Sequence, residues 1–141
     1  LKKFLIFVVG AALIKSSFAI DPETRCLAQA VYWEARGEPW QGKVAVAVTT
    51  LNRVKDPRFP KTICRVVYQP NQFAWTQNKH RRITSKQDWD EAVFVAQLTQ
   101  HTLVKYMEYF PALYFHSTKS RPPWRHKLTR LTQIGNHIFY Y

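Results

Sequence analysis

The chain has 141 residues, 46% hydrophobic and 15% aromatic, which is enough for one domain with a modest core and too apolar for a disordered segment. A formal net charge of +12 points toward an anionic partner: nucleic acid, an acidic polymer or a membrane surface. A solvated basic face explains that charge equally well, so charge alone identifies nothing.

The N-terminus reads as a targeting segment. Lys2 and Lys3 precede an apolar run from Phe4 to Ile14, and the small residues Ser17 and Ala19 stand at −3 and −1 of a cleavage point before Ile20. This is the order of regions in a secretory signal. The run is short for a membrane-spanning helix, so a retained anchor is the weaker reading. The expected division is a signal peptide over 1–19 and an exported domain over 20–141, with no stable membrane span after the signal is removed. Losing Lys2, Lys3 and Lys15 lowers the charge from +12 to +9, so the exported part stays basic.

Asp21 is a candidate N-cap, and Pro22 suits the first turn of a helix that Gly37 and Pro39 should end. A second helix follows Gln41-Gly42, with Val44, Val48 and Leu51 on one stripe. Residues 56–60, Asp-Pro-Arg-Phe-Pro, make a turn or loop. Thr62 can cap a short helix containing Ile63, Val66 and Val67. Residues 69–75 read as a loop or a short extended piece, and Asn78 to Thr84 as a basic loop. Ser85 with Asp88 resembles a capping box, opening a helix to about Leu98 with Trp89, Ala92, Val93 and Ala96 facing inward. Ala112 to His116 is a candidate strand. Leu128 to Ile134, Gly135-Asn136, then His137 to Tyr141 reads as a hairpin, because Gly-Asn suits a two-residue turn. The expected class is α+β: a mostly helical domain with a small C-terminal antiparallel sheet.

Cys26 and Cys64 form an even pair in a chain read as exported, which permits a disulfide. Neither has a Cys or His at metal-ligand spacing, and neither a metal nor another cofactor is expected.

The first helix carries an anomaly. Leu27, Ala30, Val31, Glu34 and Ala35 share the spacing of an apolar face, so Glu34 falls where burial is expected. Burial disfavours a charged carboxyl, raises its pKa and keeps it able to donate a proton. A protonated Glu in a cleft is what cleavage of a glycosidic bond requires. Arg36 lies too far round the helix to be a good local partner. Taken alone, Glu34 leaves structure and catalysis both open.

Several segments in order carry a resemblance. They are Tyr32-Trp33-Glu34-Ala35-Arg36-Gly37-Glu38, Gly42-Lys43-Val44-Ala45-Val46-Ala47-Val48, Leu51-Asn52-Arg53-Val54, Val66-Val67-Tyr68-Gln69, Gln72-Phe73-Ala74-Trp75 and Ile134-Gly135-Asn136-His137-Ile138-Phe139-Tyr140. Together the chain from Cys26 onward resembles cell wall hydrolases of the SleB/CwlJ type, which include spore cortex-lytic enzymes. The resemblance implies a lysozyme-like domain acting on the glycan strands of peptidoglycan. It implies Glu34 as the catalytic acid and, as a rule in that family, lytic transglycosylation. One departure stands out: a His-Tyr-His run common in the family is Tyr114-Phe115-His116 here, so no role of its first His carries over.

The chemistry of the residues agrees. A hydrolase needs two carboxyls about the scissile bond, whereas a transglycosylase needs one, since the sugar's own hydroxyl attacks. The other acids fall at expected helix ends, loops or polar faces. Glu38, one turn from Glu34, is either a flanking substrate-binding acid or a structural acid at the helix end. Gln69 and Gln72 are candidates to bind amino-sugar substituents, and Phe73 and Trp75 to pack on sugar rings, with ordinary core packing as the alternative. Tyr68 bonds either to Glu34 or substrate, or only within the core. His116 is a weaker substrate-binding candidate and His137 weaker still. Lys79, Arg81 and Arg82 can attract acidic stem peptides or phosphate-bearing polymers, a solvated face being the default.

A glycan-binding module without activity is the main rival, and the desolvated Glu34 argues against it. A nucleic-acid binder is the second, but no zinc-finger spacing or RNA-binding aromatic motif is present. The working expectation is an exported, monomeric enzyme acting on peptidoglycan, with no nucleic-acid partner.

Overall fold

The computed structural model describes residues 19–141, so the apolar run and most of the expected signal lie outside the described residues. Four helices come first: α1 (Pro22–Ala35), α2 (Trp40–Lys55), α3 (Ile63–Val67) and α4 (Lys86–His101). Three strands follow: β1 (Tyr114–Ser117), β2 (Arg130–Ile134) and β3 (His137–Tyr140). Among the described residues no helix is long and apolar enough to cross a membrane.

Local chemistry sets the helix ends. The Asp21 carboxylate accepts the Thr24 N–H at 3.0 Å, and Pro22 opens α1. Gly37 takes φ +87° and Pro39 follows, so the chain turns directly into α2. Thr62 Oγ1 caps α3 through the Arg65 N–H, and Ser85 Oγ caps α4 through the Asp88 N–H at 3.2 Å. Helix α2 begins at Trp40, before the expected Gln41-Gly42, and α4 runs to His101, one turn beyond the expected end.

Helix α1 is the centre of the molecule, packed against α2, α3 and α4. Leu27, Ala30 and Val31 of α1 meet Ala47 and Leu51 of α2, Ile63 and Val67 of α3, and Ala92, Val95 and Ala96 of α4. Val95 faces inward with the expected residues, while Trp89 and Val93 are half-buried at the edge. Cys26 and Cys64 are bonded, Cα to Cα 5.2 Å, joining α1 to α3 across a separation of 38 residues. Closing a loop of that length stabilises by about 4 kcal/mol on the chain-entropy account.

The sheet order is β1-β3-β2, all antiparallel, so the later hairpin strand lies in the middle. Phe139 pairs with Phe115 and packs with Ala35, Ala45, Val46 and Ala112 in a second core. Two α2 side chains fasten the approach to β1. Asn52 Nδ2 donates to the carbonyls of Phe110 and Ala112, and Arg53 Nε donates to the Leu113 carbonyl at 2.6 Å. Three short 3-10 segments, Ala74–Gln77, Leu103–Tyr109 and Pro123–Lys127, lie in the connections between these elements.

Candidate active site

Glu34 projects from the last turn of α1 into a cavity of about 460 Å³. Arg53 of α2 supplies one wall, Gln72 and Phe73 another, and Phe115, His116 and His137 of the sheet close the far side with Tyr114 and Trp124. Among the described residues Glu34 is the sole carboxyl in this lining. Burial pushes its pKa up to about 7; the nearby Trp75 indole N–H and the Arg53 charge oppose the rise. The indole N–H is buried and completes no hydrogen bond to a protein acceptor. Glu34 is therefore present in both protonation states near neutrality, as a group that must first give and then take a proton requires.

Arg53 is the buried countercharge. Burial pushes its pKa down to about 10, with Tyr114 and Glu34 resisting. Beyond its bond to the Leu113 carbonyl it donates to Gln72 Oε1 at 2.8 Å, and its guanidinium lies 5.3 Å from the Phe59 ring centre and 5.6 Å from that of Tyr114. Each contact compensates part of the cost of desolvating a cation. The sequence reading assigns Arg53 no role, although it lies in one of the matching segments.

The expected site residues divide into two groups. Gln72, Phe73 and His116 line the Glu34 cavity, and Trp75 stacks on Phe73 at 5.9 Å. Both His116 ring nitrogens are engaged, Nδ1 with the Ser117 carbonyl at 2.8 Å and Nε2 with the Tyr140 hydroxyl at 3.0 Å. His137, the weakest candidate, has the freer ring: its buried Nδ1 has no protein partner, and burial pushes its pKa down. Trp124 carries no signal in the sequence that marks it as a lining residue, while Tyr114 stands where the resembled family has the first His of its run.

Tyr68 and Gln69 lie elsewhere, at a shallow depression with Pro60, Cys64, Arg65 and Pro70. The Tyr68 hydroxyl donates to Gln29 Oε1 at 2.7 Å and accepts from Arg81 at 3.1 Å, so of the readings for this residue the bond to Glu34 is not formed, and the ring is exposed instead of lying in the core. Gln69 Oε1 is buried without a protein partner.

Of the two readings of Glu38, the contacts fit the structural acid at the helix end. It lies beyond the end of α1, in the turn to α2, and does not line the Glu34 cavity. Its carboxylate accepts the Asn136 N–H at 2.8 Å and Asn136 Nδ2 at 3.1 Å. The acid is spent on the hairpin turn because that turn presents two donors to it. Gly135 at φ +54° makes the approach possible, since a Cβ there would fall 2.0 Å from Glu38 Oε2.

The chain belongs to the Cell Wall Hydrolase family, matching it over residues 37–140. It is 35% identical over 121 residues to the spore cortex-lytic enzyme of Bacillus subtilis (strain 168), covering 83% of this chain and 37% of that protein. It is 33% identical over 119 residues to the spore cortex-lytic enzyme of Halalkalibacterium halodurans, covering 84% and 34%. The chain thus spans about a third of the length of these curated relatives. Among solved structures, the catalytic domain of the germination-specific lytic transglycosylase SleB from Bacillus anthracis superposes with a TM-score of 0.69 at 29% identity, covering 89% of this chain and 98% of that one. The catalytic domain of the Bacillus cereus SleB protein gives 0.64 at 30% identity, covering 84% and 89%. The helical domain with a three-stranded antiparallel sheet is the fold of those catalytic domains.

Proposed function

We propose that this chain cleaves the glycan strands of peptidoglycan as a lytic transglycosylase, with Glu34 as its single acid and base. The observation that carries the reading is a half-buried Glu34 held near pKa 7, with no second carboxyl lining its cavity among the described residues. Protonated Glu34 donates to the glycosidic oxygen, and the bond from that oxygen to the muramic anomeric carbon breaks. The C6 hydroxyl of the same sugar bonds to that carbon and returns its proton to the Glu34 carboxylate. A 1,6-anhydro ring closes, no water is consumed, and Glu34 is restored.

The surrounding groups fit each stage. The Trp75 N–H and the Arg53 charge favour the carboxylate left after proton donation. Gln72, already oriented by Arg53, and the unpartnered His137 Nδ1 are the polar groups available to sugar substituents. Phe73, Trp75 and His116 complete the substrate-binding wall. All of these belong to one chain, so the reading needs no second subunit.

The relatives named above are enzymes of spore cortex lysis and germination, which supports peptidoglycan as the substrate. With residues 1–19 as a signal and 20–141 as the catalytic domain, the protein works outside the cytoplasm. The test is mass spectrometry of the material released from purified sacculi. Anhydro-muropeptides, lighter than hydrolysed products by one water, are expected. Reducing-end products would replace this reading with hydrolysis.

A further inference from the structure

We propose that a second depression, lined by Gln29, Trp33, Lys79, Arg81 and Ile83, is a subsite for carboxylates of the peptide side chains carried by the glycan strand. The inference rests on the proposed function and extends it from the bond cleaved to the part of the substrate that is read. The depression holds about 230 Å³, and among the described residues no acid lines it.

Its position ties it to the reaction. Consecutive residues of α1 serve the two hollows, Trp33 here and Glu34 next door. One aromatic wall runs between them. Phe73 lines the Glu34 cavity, and Trp75 stacks on Phe73 at 18° and on Trp33 at 27°, the latter pair 6.2 Å apart. A strand whose sugars lie along this wall at Glu34 brings its next side chain to the basic hollow.

The cations are arranged, not scattered. The Arg81 guanidinium lies 4.8 Å from the Trp75 ring centre and donates to the Asn78 carbonyl at 2.8 Å and to the Tyr68 hydroxyl. The Tyr32 hydroxyl accepts the N–H groups of Thr84 and Ser85, which pins the end of the loop to α1. Arg81 is thus a fixed planar donor with further N–H groups to offer. Lys79 has no hydrogen-bond or ion-pair partner among the described residues. A held guanidinium beside a free ammonium suits carboxylates on a flexible chain. Where the lactyl carboxyl of muramic acid is tied up in the amide to its peptide the sugars carry no charge, so on a peptide-bearing strand that charge sits on the peptides. Arg82, exposed on the same loop, takes no part in the lining and is a built-in control.

The experiment compares two substrates: sacculi freed of phosphate-bearing polymers, and glycan strands from which an amidase has removed the peptides and whose exposed lactyl carboxylates have been capped as neutral amides. The Lys79→Gln/Arg81→Gln double variant should raise the apparent KM on peptide-bearing sacculi about fivefold at low salt, the size expected for exposed ion pairs. It should leave kcat within about twofold and cleave stripped strands as the parent does. Arg82→Gln should match the parent on both. Equal loss on both substrates would mean that the cations merely hold Trp75, no loss would mean an idle patch, and an equal effect of Arg82→Gln would mean diffuse charge. Each of these overturns the inference. A parent that cleaves neither substrate would instead sink the proposed activity. Co-sedimentation of Glu34→Gln protein with sacculi, with and without the two basic substitutions, then decides the subsite separately.

Discussion

Glu34 and Glu38 lie four residues apart, yet they occupy opposite kinds of surroundings. Around Glu34 the chain removes water and offers only the nearby Trp75 indole N–H and the Arg53 charge, which do not offset the burial, so its pKa rises to about 7. Around Glu38 the hairpin turn supplies a backbone and a side-chain donor from Asn136, which fix the side chain in place. The first acid is kept reactive by what is withheld from it. The second is made structural by what is given to it. The same residue type in one short motif therefore says little about role until the donors facing each carboxyl are known.

The sharpest way to break this contrast is Glu34→Gln. It should keep the fold, seen as an unchanged circular dichroism spectrum, and lower peptidoglycan cleavage by about 10²–10⁴-fold, the usual worth of general acid–base help. Near-parent turnover in a folded variant would remove Glu34 from the chemistry.

The same substitution should report in the stability curve. The folded-state pKa of Glu34 lies above the ordinary value of 4.5, so the folded protein binds the extra proton between about pH 4.5 and 7. That contribution is complete below the unfolded value and is lost as pH rises through 7. Chemical denaturation should find Glu34→Gln more stable than the parent at pH 8 by roughly 1–3 kcal/mol, with the difference closing at pH 4. A pH-independent difference would mean that the carboxyl is not desolvated.

On the other side of the comparison, Gly135→Ala should cost about 1–2 kcal/mol, from its positive φ and from the collision with the Glu38 carboxylate. Part of that loss should disappear in a Glu38→Ala background, which a double-mutant cycle would measure. Glu38→Gln should be the mildest of the set: about 1 kcal/mol of stability, activity lowered far less than by Glu34→Gln, and the same product. A switch of product on that change would place Glu38 in the chemistry after all.

What was legible in the sequence divides along the same line. The ends of α1, α3 and α4 were readable because Asp21, Thr62 and Ser85 bond backbone three residues away. The hairpin was readable from Gly135-Asn136, and Glu34 from helical periodicity. Partnerships spanning the chain were not. Nothing local tells that Arg53 will donate to the Leu113 carbonyl, or that Glu38 belongs to Asn136 and not to the cleft. Trp124 reaches the cavity from a short 3-10 segment whose sequence has no period to read. Tyr68, placed by its neighbours in the motif, turns instead to Gln29 and Arg81.

The placement of β3 between β1 and β2 has a consequence for how the protein comes into being. A growing chain presents α1, with Glu34 on it, long before the strand that carries His137. The latch on the neighbouring turn waits for a partner 98 residues downstream. Contacts of such separation close late, after the local helices have formed. Without β3 the Glu34 cavity lacks its His137 wall, so the burial that raises the acid's pKa depends on that strand.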